Sequence, residues 1–145
     1  MAQFRGTFDH TLDEKNRVTV PAKFRSAFSD GVVLAKGVEA CVEIWQPGDY
    51  DAYTDTVLGG RNPFSAEARQ LTRFLAANAH DTELDSAGRV GVPDFLREHA
   101  GLGKEVVVAG AGDRLELWDR DAWADQNASL TKTVPDIAAA LGSST

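Results

Sequence analysis

Two pairs of charged residues stand out by type and spacing: Asp13 and Arg17 within "LDEKNRVTVPAKFR" at residues 12–25, and Asp85 and Arg89 within "LDSAGRVGVPDFLR" at residues 84–97. An arginine four residues after an aspartate has two chemical uses. It can close an ion pair across a turn, which contributes little when exposed. It can also offer its donors to an anion, such as a DNA phosphate or a guanine edge. The two uses coexist if the carboxylate pre-orients the guanidinium. Lys15 stands beside Arg17, and Arg5 lies nearby in sequence; the second copy has Ser86 and Ala87 in place of Glu14 and Lys15, leaving Arg89 alone. The first copy is therefore the expected main binding surface.

Catalytic and metal chemistry find less support. Asp9-His10, His80-Asp81 and His99 fall in no metal-ligand spacing, no serine lies in G-x-S-x-G, and no glycine loop is built to cradle a phosphate. The histidines read as polar surface or strand-edge residues. Cys41 is the only cysteine, so no internal disulfide forms, and its apolar setting "VEACVEIW" predicts a buried thiol. Neither a cofactor nor a small-molecule ligand is expected.

The charged pairs belong to an internal repeat, which must be recognised before elements are assigned. Asp13, Arg17, Val18, Val20, Pro21, Phe24 and Arg25 correspond to Asp85, Arg89, Val90, Val92, Pro93, Leu96 and Arg97 at a spacing of 72; Glu43, Ile44, Trp45 and Tyr50 correspond to Glu116, Leu117, Trp118 and Trp123 at 73. Two copies suggest one pseudo-twofold domain, because a solenoid usually needs three or more. The expected layout is a first repeat over 7–54, a connecting helix over 61–79, a second repeat over 83–126 and a tail over 127–145.

Within each repeat, Asn16 and Gly88 occupy the same place, and both residue types tolerate a left-handed backbone, so a tight turn with φ > 0 is expected there. Asp13 and Asp85 then accept backbone N–H bonds across it and lock it. "RVTVP" and "RVGVP" alternate at period 2 and read as short half-buried strands, each ended by a proline that opens a short helix. "GVVLAKG" with "EACVEIW", and "KEVVVAGAG" with "DRLELW", read as β-hairpins, the second turning at Ala111-Gly112-Asp113. "PGDYDAYTDTV" and "DRDAWADQ" read as closing helices. "NPFSAEARQLTRFLAANA" is the one long helical signal, with Phe64, Ala68, Leu71 and Leu75 as its apolar stripe. The tail carries only a weak helix at 135–141 and a Ser-rich end expected to fray.

The chain of 145 residues is 43% apolar, enough for a globular interior. No apolar run approaches the roughly 20 residues of a membrane-spanning helix, and the start lacks a signal-peptide core, so a cytoplasmic location is expected. Formal net charge is −7, which on its face opposes a nucleic-acid partner. Its distribution differs: residues 1–25 carry +2 and the remainder −9.

With "FRGTFDHTLDEKNRVTVPAKFR", two D-x-x-x-R motifs, Val-x-Val-Pro after each and an acidic–aliphatic–Trp strand end, the sequence resembles the MraZ family of bacterial transcription regulators, built from two AbrB-type units. The resemblance covers the chain to about residue 126; Asn16, where the family commonly has Gly, is a departure that the left-handed turn tolerates. It implies an α+β, mainly β fold: a swapped-hairpin (double-split) β-barrel of two tandem pseudo-twofold repeats with short flanking helices. It also implies a ring-shaped homo-oligomer that binds short direct repeats in double-stranded promoter DNA. The implied role is control, usually repression, of the division and cell-wall gene cluster, including the protein's own promoter, at the nucleoid. By position, the DNA contacts fall on Lys15 and Arg17, with Arg5 on phosphate. The rival readings are a structural or protein-interaction ring, and an AbrB-type antitoxin.

Overall fold

The computed structural model describes residues 3–143. Strands β1 (Thr7–Thr11), β3 (Val32–Lys36), β4 (Val42–Trp45), β5 (Ala79–Thr82), β7 (Glu105–Gly110) and β8 (Leu115–Asp119) form one antiparallel sheet in the order β1-β7-β8-β4-β3-β5. A separate ribbon pairs β2 (Arg17–Thr19) with β6 (Arg89–Gly91). Four α-helices complete the fold: α1 (Pro47–Leu58), α2 (Ala66–Ala77), α3 (Asp94–Ala100) and α4 (Arg120–Ser143); a 3-10 helix covers Ala22–Phe28.

The strand order reads the same from either end once the repeats are exchanged: β1 answers β5, β7 answers β3, and β8 answers β4. The pseudo-twofold axis passes between β4 and β8, where Glu43 faces Glu116, and between β2 and β6, where Val18 faces Val90. Strands from different repeats pair at β1–β7, β3–β5, β4–β8 and β2–β6. Neither repeat could bury its apolar face alone, so the two interleave.

The strands of the central hairpins are apolar on both faces because both faces are covered. On one side, Val32, Leu34, Val42, Ile44, Val106, Val108, Leu115 and Leu117 pack with Val18, Val20, Val90 and Val92 of the ribbon, and with Phe24, Phe28 and Leu96 of the short helices. On the other, Val33, Ala35 and Trp45 pack with Tyr50 of α1. Cys41 is buried, and desolvation raises its thiol pKa.

The closed barrel expected from the resemblance is absent among the described residues: the six-stranded sheet is open. Pro21 and Pro93 follow β2 and β6, and a residue without an N–H cannot extend a ladder, so the ribbon stays separate from the larger sheet. The edge strands β1 and β5 escape sequence pattern, since "TFDHT" and "AHDT" are mostly polar. Phe64 is 86% exposed and precedes α2, whose N-cap is Ser65, so it does not join the helix stripe that ends in buried Leu75. The expected frayed tail is helical to Ser143; Ser144 and Thr145 lie outside the described residues. Thr131 and Thr133 hydroxyls donate to the carbonyls of Asn127 and Ser129, which accommodates these residues within α4.

Candidate nucleic-acid interface

Each charged turn is built by its own aspartate. Asp13 Oδ1 accepts from the N–H groups of Lys15 and Arg17, each at 2.9 Å, and Asp13 Oδ2 accepts from Arg17 Nε at 2.8 Å. The second turn repeats this: Asp85 Oδ1 accepts from the N–H groups of Ala87 and Arg89, and Oδ2 from Arg89 Nε, all at 2.9 Å. Asn16 has φ 58° and Gly88 φ 77°, the left-handed conformation expected of both. The backbone N–H of Arg17 holds the Asp13 carboxyl below its usual pKa, although partial desolvation opposes it; the N–H of Arg89 does the same for Asp85.

The two turns are joined across the pseudo-twofold. Val92 N–H donates to the Asn16 carbonyl at 3.0 Å and Val20 N–H to the Gly88 carbonyl at 2.9 Å, so each left-handed residue is clamped by the other repeat. Arg17 Nη1 lies 3.7 Å from Asp85 Oδ2. Asp13, Arg17, Asp85 and Arg89 thus form one half-buried, formally neutral quartet. In both arginines Nε is fixed to the turn, which sets the plane of the guanidinium, and both side chains are partly exposed. Lys15 stands exposed at the first tip.

Two further arginines complete the site, and sequence reading passed over them. Arg25 and Arg97 each donate Nε to the carbonyl of the residue just after the preceding strand, Val20 and Val92, at 3.0 Å. Arg25 crosses over the second turn: a Cβ on Gly88 would lie 2.2 Å from its Nε. Arg97 lines a surface hollow with Asp13, Glu14 and Asn16, and is paired with Asp94. The signal was present, since Arg25 and Arg97 align at the repeat spacing. Arg5 is not part of this cluster. It lines a separate hollow with Lys23 and Gln46, and Lys23 sits over the Phe8 and Phe24 rings at 5.0 Å.

Arg25 lies so close over Gly88 that a side chain there would displace it. Gly88→Ala should cost about 2 kcal/mol, because alanine is strained at this φ and displaces Arg25 from Val20. Asn16→Gly should change stability by less than about 1 kcal/mol, since the turn already exists and only chain entropy changes. Urea denaturation of both variants checks this; equal losses would contradict the clamp.

Sheet, ribbon and turns define a class: a tandem-repeat β protein whose halves interleave about a pseudo-twofold axis and present arginines on aspartate-locked turns. Comparison with known proteins is specific. The family model described as "MraZ protein, putative antitoxin-like" matches residues 3–74 and again residues 75–139. A protein of Paenarthrobacter aurescens named transcriptional regulator MraZ is 41% identical over 121 residues, covering 83% of each chain. Proteins with the same name from Micrococcus luteus and Oenococcus oeni are 37% and 34% identical over 139 residues, covering 92% and 95% of this chain and 96% of each of theirs. The chain belongs to the MraZ family, which is one of transcriptional regulators and not of enzymes.

Proposed function

We propose that this protein is a sequence-specific DNA-binding regulator whose first-repeat turn carries the main contact: Arg17 to a base edge or phosphate, Lys15 to phosphate. Arg89 plays a lesser part in the second turn, and Arg5, from its separate hollow, contacts a flanking phosphate. The observation that carries this reading is the pinning of Arg17 Nε by Asp13 at 2.8 Å, which fixes the donor fork before any ligand arrives. A pre-oriented fork loses less entropy on binding than a free side chain. The names of the relatives support the reading, as does the exposure of Lys15 at the tip.

The quartet's lack of net charge bears on mechanism. Bulk attraction to DNA is weak on a chain of formal charge −7, so discrimination rests on directed hydrogen bonds and affinity on repetition. In our reading several copies assemble into a ring and place their turns on successive direct repeats. Linked weak sites then bind far more tightly than single ones. The target is the protein's own promoter at the head of the division and cell-wall gene cluster, and the effect is repression, in the cytoplasm at the nucleoid. No described helix is long and apolar enough to cross a membrane.

The test is a fluorescence-anisotropy titration on DNA from upstream of the protein's own gene and on a shuffled duplex of equal length. The expected result is a preference of at least about a hundredfold for the native sequence, with log affinity falling linearly in log salt. Equal affinities for the two duplexes would move the reading to a protein-interaction ring.

A further inference from the structure

The loop between α3 and β7 brings a cation of the second repeat to the first turn. Gly101 ends α3 in the left-handed conformation, φ 60°. Gly103 N–H then donates to Asp119 Oδ1 at 3.0 Å, and Leu12 N–H donates to the Lys104 carbonyl at 2.8 Å. Leu12 directly precedes Asp13, so the backbone of Lys104 is tied to the root of the locked turn. Its side chain lines the hollow that holds Asp13, Glu14, Asn16 and Arg97.

Lys104 is exposed, and among the described residues no carboxylate pairs with it. Most charges around it are already committed. Asp13 holds Arg17, and Arg97 is paired with Asp94. In the adjoining hollow, Glu105 is paired with Arg120, while Asp119 accepts from the N–H groups of Gly103 and Ala122. Glu14 on the tip and Asp121 in the first turn of α4 are the remaining carboxylates lining the two hollows. The loop's own hydrogen bond runs through the Lys104 carbonyl, which any residue supplies, so it does not account for a lysine there.

The pseudo-twofold inverts this charge at the other turn. His10 of β1 pairs with Val106, and Thr82 of β5, its counterpart, pairs with Val32. Val32 therefore answers Val106, and two residues earlier Asp30 answers Lys104. The first turn is flanked by an exposed lysine and the second by an exposed aspartate. We propose that Lys104 is a DNA phosphate contact, supplied by the second repeat, that completes the binding surface of the first turn, a contact that the second turn lacks. The proposal rests on the reading that the first turn binds DNA. A compact ammonium on a flexible stem suits a phosphate as a point charge, whereas the pinned guanidinium of Arg17 suits planar, bidentate recognition. One surface is thus built from both repeats, which only their interleaving brings together.

Anisotropy titrations of the native and shuffled duplexes over a range of salt test it, using the full chain as wild type, Lys104→Gln, Lys104→Arg and Arg73→Gln. Arg73 is exposed on α2, which packs on the other face of the sheet, and its replacement changes the net charge by the same amount. Lys104→Gln should bind both duplexes several-fold more weakly, with the salt slope shallower by about one per copy engaged and the ratio between duplexes unchanged. Lys104→Arg and Arg73→Gln should keep the wild-type slope. An unchanged slope in Lys104→Gln, beside a wild type that prefers the native duplex, would overturn the proposal and leave the DNA reading intact. The same loss of slope in Arg73→Gln would also overturn it, since net charge alone would then explain the effect. A wild type that binds neither duplex would overturn both.

Discussion

Arg114→Ala is expected to lower stability by about 3 kcal/mol at neutral pH, and the loss should shrink as the pH falls. Glu43 and Glu116 face each other across the centre of the sheet, Glu43 being only 5% exposed. Trp45 and Trp118 each donate an indole N–H to the glutamate two residues before, at 3.0 and 3.1 Å. Among the described residues Arg114 supplies the one countercharge, 3.4 Å from Glu43 and 3.3 Å from Glu116, with its guanidinium 5.4 Å from the Trp45 ring centre. The first repeat has Cys41 at the equivalent place, so two carboxylates share one arginine. Removing one partner of a buried pair typically costs 3–5 kcal/mol; the lower end applies because Arg114 is 24% exposed.

The pH dependence follows from Glu43. Burial raises its pKa, although the Trp45 hydrogen bond and Arg114 pull it back. A carboxyl whose folded pKa lies above its unfolded value contributes stability below the unfolded value and loses it as the pH rises through the folded one. Without Arg114 that loss deepens, so the two proteins should differ most near pH 7 and least near pH 4. Asp13 and Asp85, whose pKa values are lowered, lose their contribution as the pH falls, but they do so in both proteins and cancel in the difference. Urea denaturation across this range measures it; a pH-independent difference, or one under about 1 kcal/mol, would show that Arg114 does not neutralise the pair.

Arg17→Ala should weaken binding to the native promoter by at least about tenfold per turn engaged, the scale of one bidentate base contact, and by more where several copies bind together. Arg89→Ala should weaken it less, since no lysine accompanies it. Asp13→Asn separates positioning from charge. Asparagine keeps an oxygen for the two backbone N–H groups, but its Nδ2 cannot accept from Arg17 Nε. Simple electrostatics expects a chain one unit less negative to bind DNA better; release of the guanidinium should make it bind several-fold worse.

Most of the fold was legible because the repeat is written in residues with geometric demands. Asp, then Asn or Gly, then Val-x-Val-Pro specify turn, strand and stop, and both copies deliver them. Both hairpins follow from apolar runs broken by turn residues. The edge strands were not legible, since β1 and β5 draw their stability from β7 and β3 rather than from their own pattern. Nor was the length of α4, since Ser, Thr and Pro argue locally against a helix. At the site, the locked turns were readable from spacing. The clamping of each turn by the other repeat, and the crossing of Arg25 over Gly88, depend on the interleaved topology, which no local pattern encodes.

The central claim is that an aspartate-pinned arginine in the first turn makes the DNA contact. Its most direct test is the affinity of wild type, Arg17→Ala and Asp13→Asn for DNA upstream of the protein's own gene, by anisotropy at two salt concentrations, with sedimentation confirming that size is unchanged. The account predicts wild type tightest, Asp13→Asn weaker despite its added positive character, and Arg17→Ala weakest. Asp13→Asn binding as well as or better than wild type, or Arg17→Ala binding unimpaired, would contradict it.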